Sequence, residues 1–595
     1  MNSGVINHDI YVLILSMVAG TPLLLAGLCC TRRRRIAWQG ITLAPIPALL
    51  AAFFVPAEIS VYVPWFFMSG HMGLDETGRI FLGLSAFIWL LAALSCRSLF
   101  SESPGTNRLN VFFLAAMSGN FGLILAQDML GYYLFFALMS FAAYGLVVHN
   151  ATEEARKAGR IYLIFVVLGE VALFQALVHL ADGAQSLLLA DLAGTALPPV
   201  VLVLLFIGFG VKVGALPFHF WMPASYQATP APAAAALAGA MVNAGLLGWL
   251  RFMPLGEVTS GPGALCFISA GGLAVFYGVI VGLAQKRSAT ILAYSSISQM
   301  GLMTVIFGFG LSSLAAGELA ASSLILYAVH HSLAKGSLFL GYACPKNRKG
   351  ALGTWQIAGY LLPAFSLAGM PLTSGAVAKL GFKELVLLVG EPWSGLSDFF
   401  LPLSAVGTTL LVLHFIQVAR HDKDVRQTGG SGAFLAWIAS LVAVGFAVWL
   451  WPAVRTPAEH SLQAVKLWQS FWPVATGALL FLLWRGFCKR GRAAQLNYSS
   501  WCGFVWLKKL HQATSLWRKD MSGINSLLRN RNPIYQAVIG GEQEEGAKKR
   551  GNAVKPLAFG KIDLIFRKSE KIMGRWMVVG LAYLLLWLFF FLFLG

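Results

Sequence analysis

Lys212 lies in "GFGVKVGALPFHFWMP" (208–223), five residues before Pro217, with His219 two residues beyond that proline and no other charge in the run. His331 and Lys335 fall four apart in "LYAVHHSLAKGSLFLGYA", so they share one helix face, while the adjacent His330 points about 100° away. Lys379 follows Pro371, Thr373 and Gly375 in "AGMPLTSGAVAKLGFKELVLL", with Lys383 and Glu384 just behind it. Glu170 stands alone in "IYLIFVVLGEVALFQALVHL". Amines, imidazoles and carboxylates of this kind take up and release protons. An imidazole four residues from an ammonium does not readily carry a second charge, so His331 and Lys335 together make a place for about one proton.

The elements that must hold these groups are membrane helices. The 595 residues are 57% hydrophobic and 12% charged, against about a quarter charged in soluble globular chains. Windows of roughly 20 apolar residues, the span of a bilayer core, fall near 11–29, 38–57, 79–97, 108–126, 129–148, 161–182, 198–216, 231–252, 263–284, 288–310, 318–343, 355–390 (broken), 401–419, 433–452, 471–487 and 577–594. The expected fold is therefore an all-α polytopic membrane protein with about 14–16 crossings. The first stretch lacks a charged n-region and a small-residue cleavage site, so a retained helix is expected rather than a signal peptide. Seven cysteines show no CxxC or Cys…His spacing; they read as packing residues, with no disulfide, metal or iron–sulfur site expected.

Lys and Arg cluster in short loops at 31–35, 153–160, 285–287, 345–350, 420–426 and 488–492, and all six come out on one side when the helices are taken in order. That side is expected to be cytoplasmic, with the N-terminus outside, as in a bacterial-type inner membrane. Residues 485–575 carry 19 Lys plus Arg against 6 Asp plus Glu, so most of the chain's +19 is local. Within it, Trp506, Leu510, Trp517, Met521, Ile524 and Leu528 recur at steps of three, four and seven. Either an interfacial helix or a basic tail attracted to anionic lipid accounts for this segment, in preference to nucleic-acid binding.

An ionisable side chain at the bilayer centre costs ~2.5–3.5 kcal/mol on the lenient insertion scale, which makes each one a functional hypothesis. Snorkelling to the interface is the alternative for Lys212, which sits near a helix end. Pro217 favours the functional reading, because the carbonyl it frees is tolerated in a membrane only where it faces protein or water. Lys335 lies some eight residues from the "CPKNRKG" loop, further than its side chain easily reaches. For Glu170 the expected partner is Lys212 on the next helix. One of Lys379 and Lys383 is a candidate structural partner of Glu384.

The stretches "VKVGALPFHFWMPASYQATPAPAAAALAG" (211–239), "ATILAYSSISQMGLM" (289–303), "HHSLAKGSLFLG" (330–341) and "GMPLTSGAVAK" (369–379) resemble the antiporter-like membrane subunits of respiratory complex I, membrane-bound hydrogenases such as formate hydrogenlyase, and Mrp cation/proton antiporters. The resemblance implies two inverted five-helix repeats, each with a broken helix, joined by a hydrated axis. It divides the chain into N-terminal helices (1–126), a conducting core (127–400), C-terminal core helices (401–487), a basic amphipathic segment (488–576) and an anchor (577–595). It implies that Lys212 and Lys379 are the two broken-helix lysines and that His331 and Lys335 are the central relay. Two positions depart from the pattern. Ala137 stands where family members usually place a glutamate, and Asn243 where many have a further lysine. Either Glu170 substitutes for the missing carboxylate or the first half has stopped pumping.

The leading expectation is a proton-translocating subunit that works with other membrane subunits in the bilayer and moves H⁺ or Na⁺. No motif for a redox cofactor, haem or metal occurs, so any electron transfer would belong to partners. The alternatives are the membrane partner of a proton-driven inorganic-carbon uptake system and an anchor that has lost conduction.

Overall fold

The computed structural model describes residues 2–63, 70–100, 104–192, 197–344, 353–391, 393–421, 430–450 and 459–490. The basic amphipathic segment beyond residue 490, the 577–595 anchor, the 345–350 loop and most of the 420–426 loop lie outside the described residues.

In chain order the helices are α1 (Asn2–Cys29), α2 (Arg34–Gly40), α3 (Ile46–Phe54), α4 (Glu76–Leu99), α5 (Pro104–Leu125), α6 (Met129–Val147) and α7 (Glu153–Ala184). They continue as α8 (Pro199–Val213), α9 (Trp221–Ala228), α10 (Ala231–Ala236), α11 (Asn243–Phe252), α12 (Gly261–Leu283) and α13 (Ser288–Ser312). The rest are α14 (Gly317–Leu340), α15 (Thr354–Ala368), α16 (Ser374–Val389), α17 (Trp393–His421), α18 (Ser431–Leu450) and α19 (Ala464–Arg490). One antiparallel hairpin, β1 (Ile59–Val63) with β2 (Gly70–Leu74), lies between α3 and α4.

Among the described residues, 11 helical stretches are long and apolar enough to cross a membrane, and each matches a window expected from the sequence. The chain is an all-α polytopic membrane protein. The 38–57 window is the clearest departure. It splits into α2 and α3 around the turn at 41–45, because Pro45 and Pro47 remove amide donors inside what would otherwise be one helix. The broken 355–390 window is two helices, α15 and α16, as its proline and glycine content implies.

With no water in a bilayer core, the free amides at helix starts need side-chain partners. Asp75 accepts from the Gly78 amide at the start of α4, Asp128 from Gly131 at α6, Thr152 from Ala155 at α7 and Ser260 from Gly263 at α12. The opposite problem arises at the end of α5. There Arg251, on α11, donates to the carbonyls of Leu123 (3.1 Å), Ile124 (2.7 Å) and Ala126 (2.8 Å) and pairs with Asp75 at 2.7 Å. One guanidinium thus ties α4, α5 and α11 together. Arg251→Met is expected to lower stability by about 3 kcal/mol, since it leaves a carboxylate and three carbonyls without their cation. Thermal unfolding of the purified protein in detergent checks this, and an unchanged midpoint would show the cluster to be dispensable.

The core of the bundle is α10, α11, α13 and α14. The spans Ala231–Phe252 and Ser288–Ser312 are the most enclosed of the described crossings, with 94% of each apolar window buried. The candidate central residues therefore sit on or against helices with almost no lipid-facing surface.

Candidate functional site

The first helix break begins at Gly214, three residues earlier than Pro217. Gly214 adopts φ +77°, and its amide and that of Ala215 both return to the Gly210 carbonyl, at 2.8 and 2.9 Å. This left-handed cap suits glycine and ends α8 one residue after Lys212. A short 3-10 turn over Phe218–Phe220 follows, and Trp221 Nε1 then donates to the Val211 carbonyl at 2.6 Å. The Leu216–Pro217 peptide is cis.

Lys212 does not snorkel: it is only 3% exposed. Its Nζ lies 3.4 Å from Tyr162 Oη and 5.5 Å from the centroid of the Phe136 ring. Tyr162 in turn donates to the Ser140 carbonyl at 2.9 Å. The neighbouring helix α7 brings Glu170, 4% exposed, into electrostatic contact with Lys212 and Ser140. Neither carboxylate oxygen has a hydrogen-bond partner among the described residues. Two glycines set this approach. A Cβ at Gly169 would stand 3.1 Å from Val211 Cβ, and one at Gly208 would stand 3.0 Å from Leu173 Cβ. Close packing of α7 on α8 is thus what places the acid beside the amine.

His219 lies past the break, 2% exposed, with Nε2 at 3.0 Å from Tyr277 Oη and its ring against Phe220. It is anchored to α12 through Tyr277.

At the centre, Lys335 is fully buried and donates to the Leu292 carbonyl on α13 at 2.9 Å. His331 is also fully buried, and neither ring nitrogen has a hydrogen-bond partner among the described residues. A single π-helical turn, Leu237–Met241, lets α10 run into α11 close against α14. Asn243 emerges from it and donates to Ser332 Oγ at 2.7 Å, leaving its own Oδ1 without a partner among the described residues. Asn243 therefore touches the residue next to His331.

The second break repeats the cap of the first. Gly369 has φ +85°, and the amides of Gly369 and Met370 return to the Phe365 carbonyl at 3.1 and 3.0 Å. Lys379, partly exposed, reaches back from α16 to donate to the Ala368 carbonyl at 2.7 Å, so each break has a lysine close to its cap. Pro371 and Leu372, the latter at φ +64°, lie in the intervening turn.

Lys383 and Glu384 are not partners of one another. Lys383 pairs with Asp398 on α17 at 3.0 Å, and Glu384 lies 3.7 Å from His460 Nδ1. Both look outward from α16, so the structure separates them from the buried row.

Sequence reasoning missed the hydroxyls and amides that join the charged groups: Ser140, Tyr162, Ser332 and the pair Tyr327–Gln299, bonded at 2.9 Å. For Gln299 the signal was available in "SSISQ" (295–299), a polar run in a largely buried helix. A cavity of about 520 Å³ lined by His71, Asp128 and Asp182 lies at the junction of α6, α7 and the hairpin and contains none of the sequence-predicted residues.

Residues 126–400, which hold every group just described except His460 and the structural residues near the N-terminus, match the family model described as NADH:quinone oxidoreductase/Mrp antiporter, transmembrane. A Na(+)/H(+) antiporter subunit from Alkalihalophilus pseudofirmus is 30% identical over 289 residues, 45% of this chain and 57% of that protein. Hydrogenase-4 component B of Escherichia coli is 25% identical over 301 residues, 47% of this chain and 45% of that protein. The chain thus spans about half the length of these curated relatives. The Mrp complex from Dietzia sp. contains a chain with the same fold, at a TM-score of 0.70 and 19% identity, covering 92% of this chain and 64% of that one.

Proposed function

We propose that this chain is a proton-translocating membrane subunit of a complex I-like, hydrogenase-like or Mrp-like assembly. One observation carries the reading. Glu170, Lys212, His331 and Lys335 are all buried in the membrane-spanning bundle, beside helix breaks or a π turn, and Glu170 and His331 have no hydrogen bonds among the described residues. Groups held that way cost several kcal/mol unless water reaches them. Buried water bridging such atoms would complete a path along which protons hop.

In this reading a proton passes between Glu170 and Lys212, with Tyr162 and Ser140 holding the amine in place. Asn243 and Ser332 then bridge toward His331 and Lys335, and Lys379 serves the second break. The family's two inverted repeats are supported by the matching caps at Gly214 and Gly369, as expected where broken helices occupy comparable places. The basic loops face the cytoplasm and the N-terminus lies outside, following the distribution of Lys and Arg. Partner subunits supply any redox chemistry and complete the assembly.

Ala137 and Asn243, both uncharged where the family usually carries charge, favour a second reading in which protons only run downhill, as the membrane partner of an inorganic-carbon uptake system. Proteoliposomes holding the native complex separate the two. Flux that builds a proton gradient when the complex is energised supports pumping, and flux that only dissipates an imposed gradient supports the second reading. A complex that moves no protons under either condition would leave only an anchor.

A further inference from the structure

We infer that His330 is a relay residue that joins the central helix α14 to the second helix break through Ser374 and Ser366. This rests on the proton-translocating reading and extends it to a residue that the His331–Lys335 pair leaves aside.

His330 is 1% exposed, and its two ring nitrogens face different surroundings. Nδ1 lies 2.8 Å from Ser374 Oγ and 3.4 Å from Ser366 Oγ, and the two hydroxyls are 3.0 Å apart. Nε2 has no hydrogen-bond partner among the described residues. Ser366 lies near the end of α15 and Ser374 is the first residue of α16, so the imidazole touches both arms of the break at once. The fit is tight: a Cβ at Gly375 would stand 3.0 Å from His330 Cε1. The titratable groups facing the ring are Lys379 from α16, and Tyr327 and His331 from its own helix.

A buried imidazole nitrogen left without a hydrogen bond is costly, and calls for water or a proton-exchanging group to reach it. Here one nitrogen is built into a hydroxyl chain and the other is open, the arrangement a proton shuttle needs. A proton taken up at Nε2 is matched by one released from Nδ1 to Ser374 Oγ; Ser374 passes its own hydroxyl proton to Ser366, and Ser366 gives up its own to water in the helix break. The ring ends neutral, with N–H on Nε2 in place of Nδ1. His331 and His330 then face different ways from adjacent positions, and α14 becomes a fork: His331 lies beside Ser332 and Asn243, and His330 serves the break that Lys379 caps.

The test is proton flux and its pH profile in proteoliposomes holding the native complex with the full chain. His330→Gln keeps the volume and a hydrogen bond to Ser374 but cannot titrate. Flux is expected to fall about tenfold or more, with one ionisation lost from the pH profile. The double variant Ser366→Ala/Ser374→Ala keeps the histidine and should also lower flux. Wild-type flux and an unchanged pH profile in His330→Gln would overturn the inference. Should that variant fail to assemble, wild-type flux in the double serine variant would overturn it instead. Lys335→Ala is the reference. If the wild-type complex itself moves no protons, the proton-translocating reading falls and this inference with it; if flux is lost in Lys335→Ala while His330→Gln is normal, only the fork is wrong.

Discussion

Lys335→Ala is expected to lower proton flux about 10²-fold or more in proteoliposomes where the variant complex assembles normally. The lysine is fully buried on a helix surrounded by others and donates one hydrogen bond, to the Leu292 carbonyl. An ammonium has three donors, so two remain for water or for passing a proton. Alanine removes the only amine on this part of α14 and leaves His331 without its charged neighbour. The structural alternative is that Lys335 only braces α13 against α14. In that case the variant would lose stability while the surviving complex conducted normally. Comparing flux per assembled complex with Lys383→Ala separates the two, because Lys383 is partly exposed and bound to Asp398 away from the buried row. Normal flux in Lys335→Ala would remove it from the path.

Glu170→Gln is expected to lower flux about tenfold or more, with little change in thermal stability. Glutamine has the same shape, and Glu170 makes no hydrogen bond among the described residues that the change would break. What is lost is the ionisable partner of Lys212. The resemblance sets Ala137, on α6, where a glutamate would be expected, and the polar residue of that helix facing Glu170 is Ser140, one turn further on. A carboxylate carried on α7 thus stands beside the same lysine from another direction. Normal flux in Glu170→Gln would show that this half conducts without a carboxylate, or not at all.

Much of the site was legible in the sequence because its signals are local. A lone Lys212 in an apolar run, a proline five residues on and a four-residue His–Lys spacing each have a direct backbone meaning. The onset of the first break at Gly214 was less visible: it depends on a glycine adopting φ +77°, one of several glycines in that run that could have done so. The contacts of Lys383 and Glu384 were misread because their partners, Asp398 and His460, come from elements further along the chain. The role of His330 was hidden for a related reason. Helix periodicity shows that the two adjacent rings diverge, but only the crossing of α15 and α16 over α14 shows that Ser366 and Ser374 meet the His330 ring. The register of Glu170 against Lys212 likewise rests on the fit of Gly169 and Gly208 between α7 and α8, a tertiary property. The proline-split window at 38–57 was the one misjudged crossing whose signal was in plain view.

A water-resolving structure of the assembled complex in lipid tests the central claim most directly. Ordered waters should bond to the Glu170 carboxylate, Asn243 Oδ1, both nitrogens of His331 and His330 Nε2, linking Lys212 to Lys335 and on to Lys379. A bundle in which those atoms turn to lipid or to neighbouring chains, with dry apolar packing between the lysines, would contradict it.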